Sequence, residues 1–171
     1  MIKIEMTADA LKCSSPYDPG FPAGAKQLGG RWDPAEHCWL FDPRDEQRVR
    51  DLCKRIYGTD GSAGLKTLTV RIDMDKYFGR KRYGAAVYAL GRQIARVFGR
   101  DSGARLGAGV VVITGALSSG GSRKSPDVTW PDGTIIEVRD VPVGALPSDT
   151  TGLTVLGNAP AGVVVEFPGR S

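Results

Sequence analysis

The sequence lacks a segment that would cross or enter a membrane. It contains no apolar run of about 18 residues, the length needed to span a bilayer. Its first residues alternate apolar and charged side chains, whereas the centre of a signal peptide is continuously apolar. We therefore expect a soluble, cytoplasmic protein without a membrane partner.

Cysteine and histidine are scarce. The chain has three cysteines and one histidine, and an odd number of cysteines supplies no framework of disulfide pairs. Cys13, His37, Cys38 and Cys53 have the chemistry of a zinc set, but no C-x2-C pair occurs among them. His37 and Cys38 are adjacent, so on a strand they point to opposite sides. We predict no metal at these residues.

Recognisable catalytic constellations are also missing. The sequence has no evident pairing of a nucleophile with a base and no G-x-x-x-x-G-K-[ST] phosphate loop. Asp73 and Asp75 end a predicted strand two residues apart, as paired metal-binding carboxylates do, which leaves a metal-dependent nuclease as a weaker alternative. The leading expectation is a protein without enzyme activity, cofactor or metal.

Glycine, in contrast, is abundant. The 171-residue chain has 23 glycines and 11 prolines, and 41% of its residues are hydrophobic. This composition allows a packed core but favours short strands and turns over a helical bundle. We predict an α+β fold in which a small N-terminal module of strands, an aromatic hairpin and two helices precedes a β-rich basic domain, either a small barrel or a sandwich.

The N-terminal module has clear signals for local structure. Residues 21–28 predict a brief helix ended by Gly29, and residues 29–41 read GGRWDPAEHCWLF, two short aromatic strands around a polar turn. Asp42 then caps a second helix that ends at Gly58. The apolar stripe of that helix consists of Val49, Leu52, Cys53 and Ile56.

Small and polar residues at 59–64 predict a linker between a module at 1–60 and a domain at 65–171. The charge balance changes there: residues 1–60 have nine Lys/Arg against ten Asp/Glu, whereas the rest of the chain has fourteen against nine. The basic surface therefore belongs to the second part.

Alternating and β-branched runs predict most of the second part as strands. These runs lie at residues 65–73, 109–115, 134–140, 153–156 and 163–167, with 109–115 expected as a buried strand and Asp132-Gly133 as a hairpin turn. Residues 83–98 fit an amphipathic helix, but they also fit two strands, 85–90 and 93–98, around a Gly91-Arg92 turn. We favour the strands, because the chain downstream is also β-like.

The aromatic hairpin is the first candidate contact surface. Side chains alternate along a strand, so Trp39 and Phe41 share one face and are assigned to the core. Trp32 is then available for stacking on bases, and Lys26 and Arg31 are available for phosphates.

The order of features in this module resembles the HARP domain of annealing helicases. The pattern consists of Tyr17-Asp18-Pro19, then Gly29-Gly30-Arg31-Trp32-Asp33, then Trp39-Leu40-Phe41 and a capped helix, and it covers roughly the first 60 residues. In that family the module binds DNA at forks and at junctions of single and double strands, and similar segments occur in phage and plasmid proteins. The resemblance implies DNA binding and a phage, plasmid or bacterial origin. Because the sequence lacks the phosphate loop of a motor ATPase, only the binding role is expected to transfer.

A second candidate surface is the basic stretch at residues 76–105. Its eight Lys/Arg and one Asp give a net charge of +7, and aromatic residues are interleaved with the cations, as in grooves that bind single strands. Residues 118–125, SSGGSRKS, add hydroxyls, amides and two cations, which suit a phosphate-contacting loop. The candidate nucleic-acid-binding residues are Lys26, Arg31, Trp32, Arg80, Lys81, Arg82, Tyr83, Arg92, Arg96, Arg123 and Lys124.

Two functions are compatible with these charges. The first is binding of nucleic acid, with single-stranded or branched DNA favoured. The second is that of a phage anti-defence factor, which docks its basic face on an acidic surface of a host nuclease or CRISPR complex. One feature separates them: a stacking platform needs exposed aromatic side chains among the cations, whereas docking by charge does not.

Overall fold

The structure is a computed structural model that describes residues 2–79, 83–156 and 164–165. Helices account for 20% of the residues and strands for 38%, and this mixture confirms the predicted α+β class. The predicted turn at residues 157–160 lies outside the described residues, as do the ends of the strand predicted at 163–167. Among the described residues, no helix is both long and apolar enough to span a bilayer.

The chain divides into two compact units. The first contains residues 1–66 and two short later segments, 90–92 and 142–146, and the second contains the remainder. The first segment of the first unit ends at Lys66. The two later segments carry no sequence signal of their own for belonging to the first unit.

The first unit is built on a four-stranded antiparallel sheet. Its strands are β1 (Lys3–Met6), β2 (Leu11–Ser14), β3 (Arg31–Asp33) and β4 (Cys38–Phe41), in the spatial order β1-β2-β4-β3. The two aromatic strands pair as a hairpin, with Trp32 opposite Trp39. Strand β3 is therefore an edge strand, which places Trp32 at the rim of the sheet.

Two helices complete this unit. Helix α1 (Phe21–Gln27) is followed by Gly29 with a φ of 72°, as the glycine signal predicted. The Asp42 side chain accepts a hydrogen bond from the Arg44 amide and begins a 3-10 turn (Pro43–Asp45), and α2 (Glu46–Tyr57) continues from it. Gly58 ends α2 in the left-handed conformation.

The core of the first unit lies among α1, α2 and the sheet. The predicted stripe of α2 is buried at Val49, Leu52 and Cys53, and Ile56 packs partly buried against it. Trp39 and Phe41 are also buried, which confirms their assignment to the core. The Phe21 ring contacts both α2 and the sheet. Its centroid lies 5.5 Å from that of the Tyr57 ring on α2 and 6.3 Å from that of the Trp39 ring on β4.

In its described residues, the second unit consists of short strands in three sheets and one short helix. Its elements are β5 (Thr67–Asp73), α3 (Met74–Phe78), β6 (Ala86–Ala89), β7 (Arg92–Arg96), β8 (Arg105–Leu106), β9 (Val110–Thr114), β10 (Ser118–Gly121), β11 (Pro126–Thr129), β12 (Ile135–Pro142), β13 (Leu153–Leu156) and β14 (Val164–Val165). The sheets have the orders β14-β13-β5-β12-β9, β6-β7-β8 and β10-β11. Among the described residues no sheet closes into a barrel.

Residues 83–98 form strands, as favoured from the sequence. Strands β6 and β7 are neighbours, and the turn between them contains Leu90 and Gly91 with φ values of 53° and 71°, one residue earlier than the predicted Gly91-Arg92, because Arg92 already pairs as the first residue of β7. Two consecutive residues with positive φ are the signature of a tight hairpin turn. The glycine that argues against a helix is thus the residue that the turn requires.

Two expectations about strands were wrong. Residues 109–115 are not a buried strand, because β9 lies at the edge of the five-stranded sheet, where Val110 is buried but Ile113 is 46% exposed. Asp132-Gly133 does not close a hairpin, because β11 and β12, the strands before and after it, belong to different sheets. A dense β-branched run and a DG turn predict local structure, but they do not specify which strand becomes the neighbour.

Candidate nucleic-acid interface

Trp32 is half-exposed at the rim of the first unit. The side chain is 50% exposed, and its ring packs edge-on against Trp39 at 5.8 Å and against His37 at 6.4 Å. Arg31, the residue before it on β3, is exposed. The position of β3 at the sheet edge explains why Trp32 shares the core face with Trp39 and still reaches solvent.

Acidic groups lie beside this tryptophan. The Asp33 carboxylate accepts hydrogen bonds from the amides of Ala35 and Glu36, at 2.9 and 3.3 Å, and so shapes the hairpin turn. Glu36 pairs with Lys12 at 3.1 Å, and this contact raises the pKa of the Lys12 amine. The predicted phosphate ligand Lys26 is exposed in the last turn of α1. The aromatic hairpin therefore combines a stacking surface with mixed charge.

The second unit places an exposed aromatic ring among arginines. Phe98 follows β7 and is 56% exposed. The guanidinium carbon of Arg96 lies 4.3 Å from the centroid of the Phe98 ring, and that of Arg105 lies 4.9 Å from it. Both distances are within the range of cation–π attraction. We name Arg96, Phe98 and Arg105 the Phe98 platform.

Backbone pairing and one serine hold the platform in place. Arg96 on β7 and Arg105 on β8 are directly opposite in the antiparallel register, which brings their side chains together. In the loop between these strands, the Ser102 hydroxyl accepts hydrogen bonds from the amides of Phe98 and Gly99, at 3.1 and 3.2 Å. The aromatic ring is thus presented by a loop whose backbone is hydrogen-bonded internally.

The predicted phosphate-contacting loop is the tip of a hairpin. Strands β10 and β11 pair from Ser118 opposite Thr129 to Gly121 opposite Pro126, and residues 122–125 form the turn. The Ser122 amide donates to the Ser125 carbonyl at 2.9 Å, and Arg123 and Lys124 are exposed in this turn. The two cations therefore project from a defined turn.

The hairpin is joined to the loop that carries Phe98. The hydroxyl of Ser119 on β10 accepts a hydrogen bond from the Gly103 amide at 2.9 Å. From residue 93 to residue 129, all within the second unit, the chain has five Lys/Arg and two Asp, a net charge of +3. Hydrogen bonding thus connects the platform and the hairpin within the most basic part of the described second unit.

Neither a protein-family model, nor a curated protein, nor a solved structure matches this chain.

Sequence reasoning missed Phe98 and the role of Arg105 beside it. These two residues become neighbours only when β7 and β8 pair, and that pairing is not visible in the sequence. One local signal was available, because Arg96 and Phe98 are two residues apart near the end of a strand and alternation places them on the same side. An Arg-x-Phe sequence before a glycine turn is the pattern that would have found them.

Tyr83 lies in an aromatic cluster, which does not favour its predicted role in stacking on bases. Its ring is stacked on Trp130 at 5.6 Å and meets Phe78 edge-on at 4.7 Å. Its hydroxyl donates a hydrogen bond to the Phe78 carbonyl. Because the ring contacts two other aromatic rings and the hydroxyl is hydrogen-bonded to backbone, this placement indicates packing within the second unit.

The other predicted cations have different surroundings. Arg92 is partly buried at the start of β7 and interacts with another group of the protein. The predicted contacts Arg80, Lys81 and Arg82 lie outside the described residues. Among the predicted phosphate ligands, Arg96, Arg123 and Lys124 thus belong to the platform and the hairpin described above.

Asp73 and Asp75, the carboxylates of the alternative nuclease hypothesis, both accept hydrogen bonds from the protein backbone. Asp73 caps α3 by accepting from the Lys76 amide at 3.2 Å, and its contacts with Lys76 lower the pKa of its carboxyl. Asp75 accepts a hydrogen bond from the Gly133 amide at 2.7 Å. Within the described part of the chain, no group of three His, Cys, Asp or Glu residues is arranged to hold a metal.

Proposed function

We propose that the protein binds nucleic acid without catalysing a reaction, and that single-stranded or branched DNA is its preferred ligand. The observation that carries this proposal is Phe98, an exposed aromatic ring flanked by Arg96 and Arg105. Bases stack on aromatic side chains in sequence-tolerant single-strand sites, while cations follow the phosphates. The platform combines both elements within the hairpin of β7 and β8.

The exposed ring favours nucleic acid over an acidic protein surface. An anti-defence protein that docks by charge alone gains from Arg96 and Arg105 but does not need an apolar ring exposed between them. The five cations and two acids between residues 93 and 129 supply the electrostatic part of binding. Unpaired bases can reach Phe98 with their faces, whereas the bases of an intact duplex are stacked on one another.

The N-terminal unit supports the same proposal more weakly. Its resemblance to the HARP domain implies contact with DNA junctions, and Trp32 with Arg31 supplies a half-exposed aromatic residue beside a cation. The acidic hairpin turn next to Trp32 reduces the local positive potential. We therefore assign the main contact to the Phe98 platform and an auxiliary contact to Trp32.

The proposal is tested by fluorescence anisotropy with labelled single-stranded, duplex and forked DNA at two salt concentrations. We expect Phe98→Ala to weaken binding to single strands about 10-fold or more, because stacking contributes about 1–3 kcal/mol per base. Phe98→Trp retains an aromatic face and is expected to bind like the parent protein. Tyr17→Ala, which removes an exposed aromatic residue of the first unit, is the matched control.

The outcomes separate the two hypotheses. Salt-sensitive binding that is lost in Phe98→Ala and kept in Phe98→Trp supports the platform. An additional, smaller loss in Trp32→Ala supports the auxiliary contact. If no DNA binds at low salt, the proposal fails, and the basic face becomes a candidate for docking on an acidic protein surface.

A further inference from the structure

The loop that presents Phe98 is hydrogen-bonded to a second basic element. Within the loop, the Ser102 hydroxyl accepts from the Phe98 amide and has the Gly99 and Gly103 carbonyls as alternative acceptors, each at 3.0 Å. The Gly103 amide in turn donates to the hydroxyl of Ser119 on β10. A short series of hydrogen bonds therefore connects the backbone of the platform to the β10–β11 hairpin.

The hairpin has a fixed shape near its tip. Gly121 has a φ of 80°, and a Cβ at this position would lie 2.4 Å from the Ser125 carbonyl oxygen, so the turn requires glycine there. Ser119 on β10 precedes Ser122 in the turn by three residues, a separation of at most roughly 10 Å. The tip thus lies beyond the hydrogen bond to Gly103, and a ligand must extend past the nucleotide at Phe98 to reach both.

The cations at the tip are available for a ligand. Arg123 and Lys124 are exposed, and within the described residues neither forms an ion pair, whereas Arg100 in the platform loop is paired with Asp101 at 3.1 Å. A phosphate that binds at the tip therefore displaces no existing ion pair. Asp127 on β11 is the acidic residue of this hairpin, which keeps a net charge of +1.

We propose that the β10–β11 hairpin binds a second segment of the single strand whose base stacks on Phe98, with Arg123 and Lys124 contacting its phosphates and Ser119 acting as a positioning residue. This inference rests on the proposed function. It adds that the binding site is extended, because the stacked base and the phosphates at the tip belong to nucleotides separated along one strand.

The test compares a thymidine dinucleotide with an oligothymidylate of about 15 nucleotides. We expect Arg123→Ala/Lys124→Ala to weaken binding of the long probe about 5- to 10-fold and to leave binding of the short probe unchanged, because the short probe does not reach the tip. For the long probe, the slope of the logarithm of the binding constant against the logarithm of the salt concentration should become shallower by about 1.4. Each of the two lost phosphate contacts with a single strand contributes about 0.7 to that slope.

The matched control removes two cations of the second unit that are already ion-paired. Lys76 pairs with Asp73 at 3.0 Å, and Arg139 pairs with Glu137 at 3.3 Å. Lys76→Ala/Arg139→Ala lowers the net charge by the same two units and is expected to change the affinity for both probes equally and less than twofold. Ser119→Ala should weaken only the long probe, and Ser119→Thr, which retains the hydroxyl, should restore it.

The outcomes distinguish this inference from the proposed function. If the long probe binds but the tip variant loses equal affinity for both lengths, or loses none, the extended site is overturned and the platform remains. The same holds if Ser119→Ala binds the long probe like the parent protein. If the parent protein binds neither probe, the proposed function itself fails.

Discussion

Gly29 and Gly58 have the same backbone conformation and opposite surroundings. Each follows a helix with a φ of 72°, where an L-residue is strained. A Cβ at Gly58 would lie 2.1 Å from the Ala145 amide nitrogen, whereas no atom lies within 4 Å of a Cβ at Gly29. The two positions therefore separate the cost of the left-handed conformation from the cost of a steric clash.

Alanine substitutions at these glycines should differ in their effect on stability. We expect Gly29→Ala to lower the free energy of unfolding by about 1 kcal/mol, the cost of the conformation alone. Gly58→Ala should lower it by more than about 3 kcal/mol, because the clash is with backbone that must move. Urea unfolding followed by tryptophan fluorescence measures both changes. Equal losses would contradict the close approach of Gly58 to Ala145.

For single residues, the sequence predicted placements that follow from local alternation but not contacts between residues distant in the chain. Trp39 and Phe41 were correctly assigned to the core, because alternation along a strand is a local property. The packing of Tyr83 was not anticipated, since its partner Trp130 lies far along the chain. Phe98 was missed for the same reason, because Arg105 approaches it only through the pairing of β7 with β8.

At the scale of elements, a buried carboxylate ties α2 to the segment that follows it. Asp60 is 5% exposed, accepts a hydrogen bond from the Ser62 amide at 3.0 Å, and pairs with Lys54 at 3.1 Å and Arg50 at 3.7 Å. The hydrogen bond from Ser62 and the ammonium of Lys54 hold the pKa of the Asp60 carboxyl well below its usual range. The last turns of α2 are thereby anchored to the chain at residues 60–62.

This carboxylate should make stability depend on acid pH. Because the pKa of Asp60 is lower in the folded than in the unfolded protein, its stabilising contribution is present above the ordinary value of 3.8 and is lost as the pH falls below it. We expect Asp60→Asn to lower the free energy of unfolding at pH 7 by about 1–2 kcal/mol and to flatten the pH dependence below about 4.

The matched control for this prediction lies on the same helix. Asp51 is exposed and accepts a hydrogen bond from the Gln47 side chain at 2.9 Å. Asp51→Asn should change the free energy of unfolding by less than about 0.5 kcal/mol at pH 7, as surface substitutions commonly do. Urea titrations between pH 2.5 and 7 compare the variants. A D60N protein whose acid dependence matches the parent would contradict the assignment.

Elements that have local sequence signals were predicted correctly more often than the pairing of one element with another. The caps at Asp42 and Gly58, the glycine turn between β6 and β7 and the aromatic hairpin are all encoded within a few residues. The order of strands in the five-stranded sheet is not encoded locally, because β5 lies between β13 and β12, which come much later in the chain. Strand β9 was expected to be buried for this reason, although it is an edge strand.

At the scale of the whole molecule, the first unit includes two segments that a single boundary after residue 66 would leave out. Residues 90–92 and 142–146 belong to it, although they are separated in sequence from residues 1–66. The Val143 amide donates to the Lys66 carbonyl at 3.1 Å, and a Cβ at Gly91 would lie 2.8 Å from the Cα of Tyr57. The C-terminal end of α2 is therefore covered by chain that a fragment ending at residue 66 does not contain.

A fragment of residues 1–66 should consequently fold with reduced stability. It retains the four-stranded sheet and its core, but it loses the contacts at Tyr57, Gly58 and Lys66. We expect its urea midpoint to lie below that of the first unit in the full chain. In a Trp130→Phe background, fluorescence from Trp32 and Trp39 reports on the first unit alone, so the same signal is compared in both proteins.

The glycine variants provide the internal control for this comparison. In the fragment the Ala145 backbone is absent, so Gly58→Ala should cost only the conformational penalty of about 1 kcal/mol, the same as Gly29→Ala. In the full chain the two variants should differ, because the clash with Ala145 is present. Equal midpoints for fragment and full chain, with the same cost of Gly58→Ala in both, would mean that residues 1–66 fold autonomously and that segment 142–146 does not pack on α2.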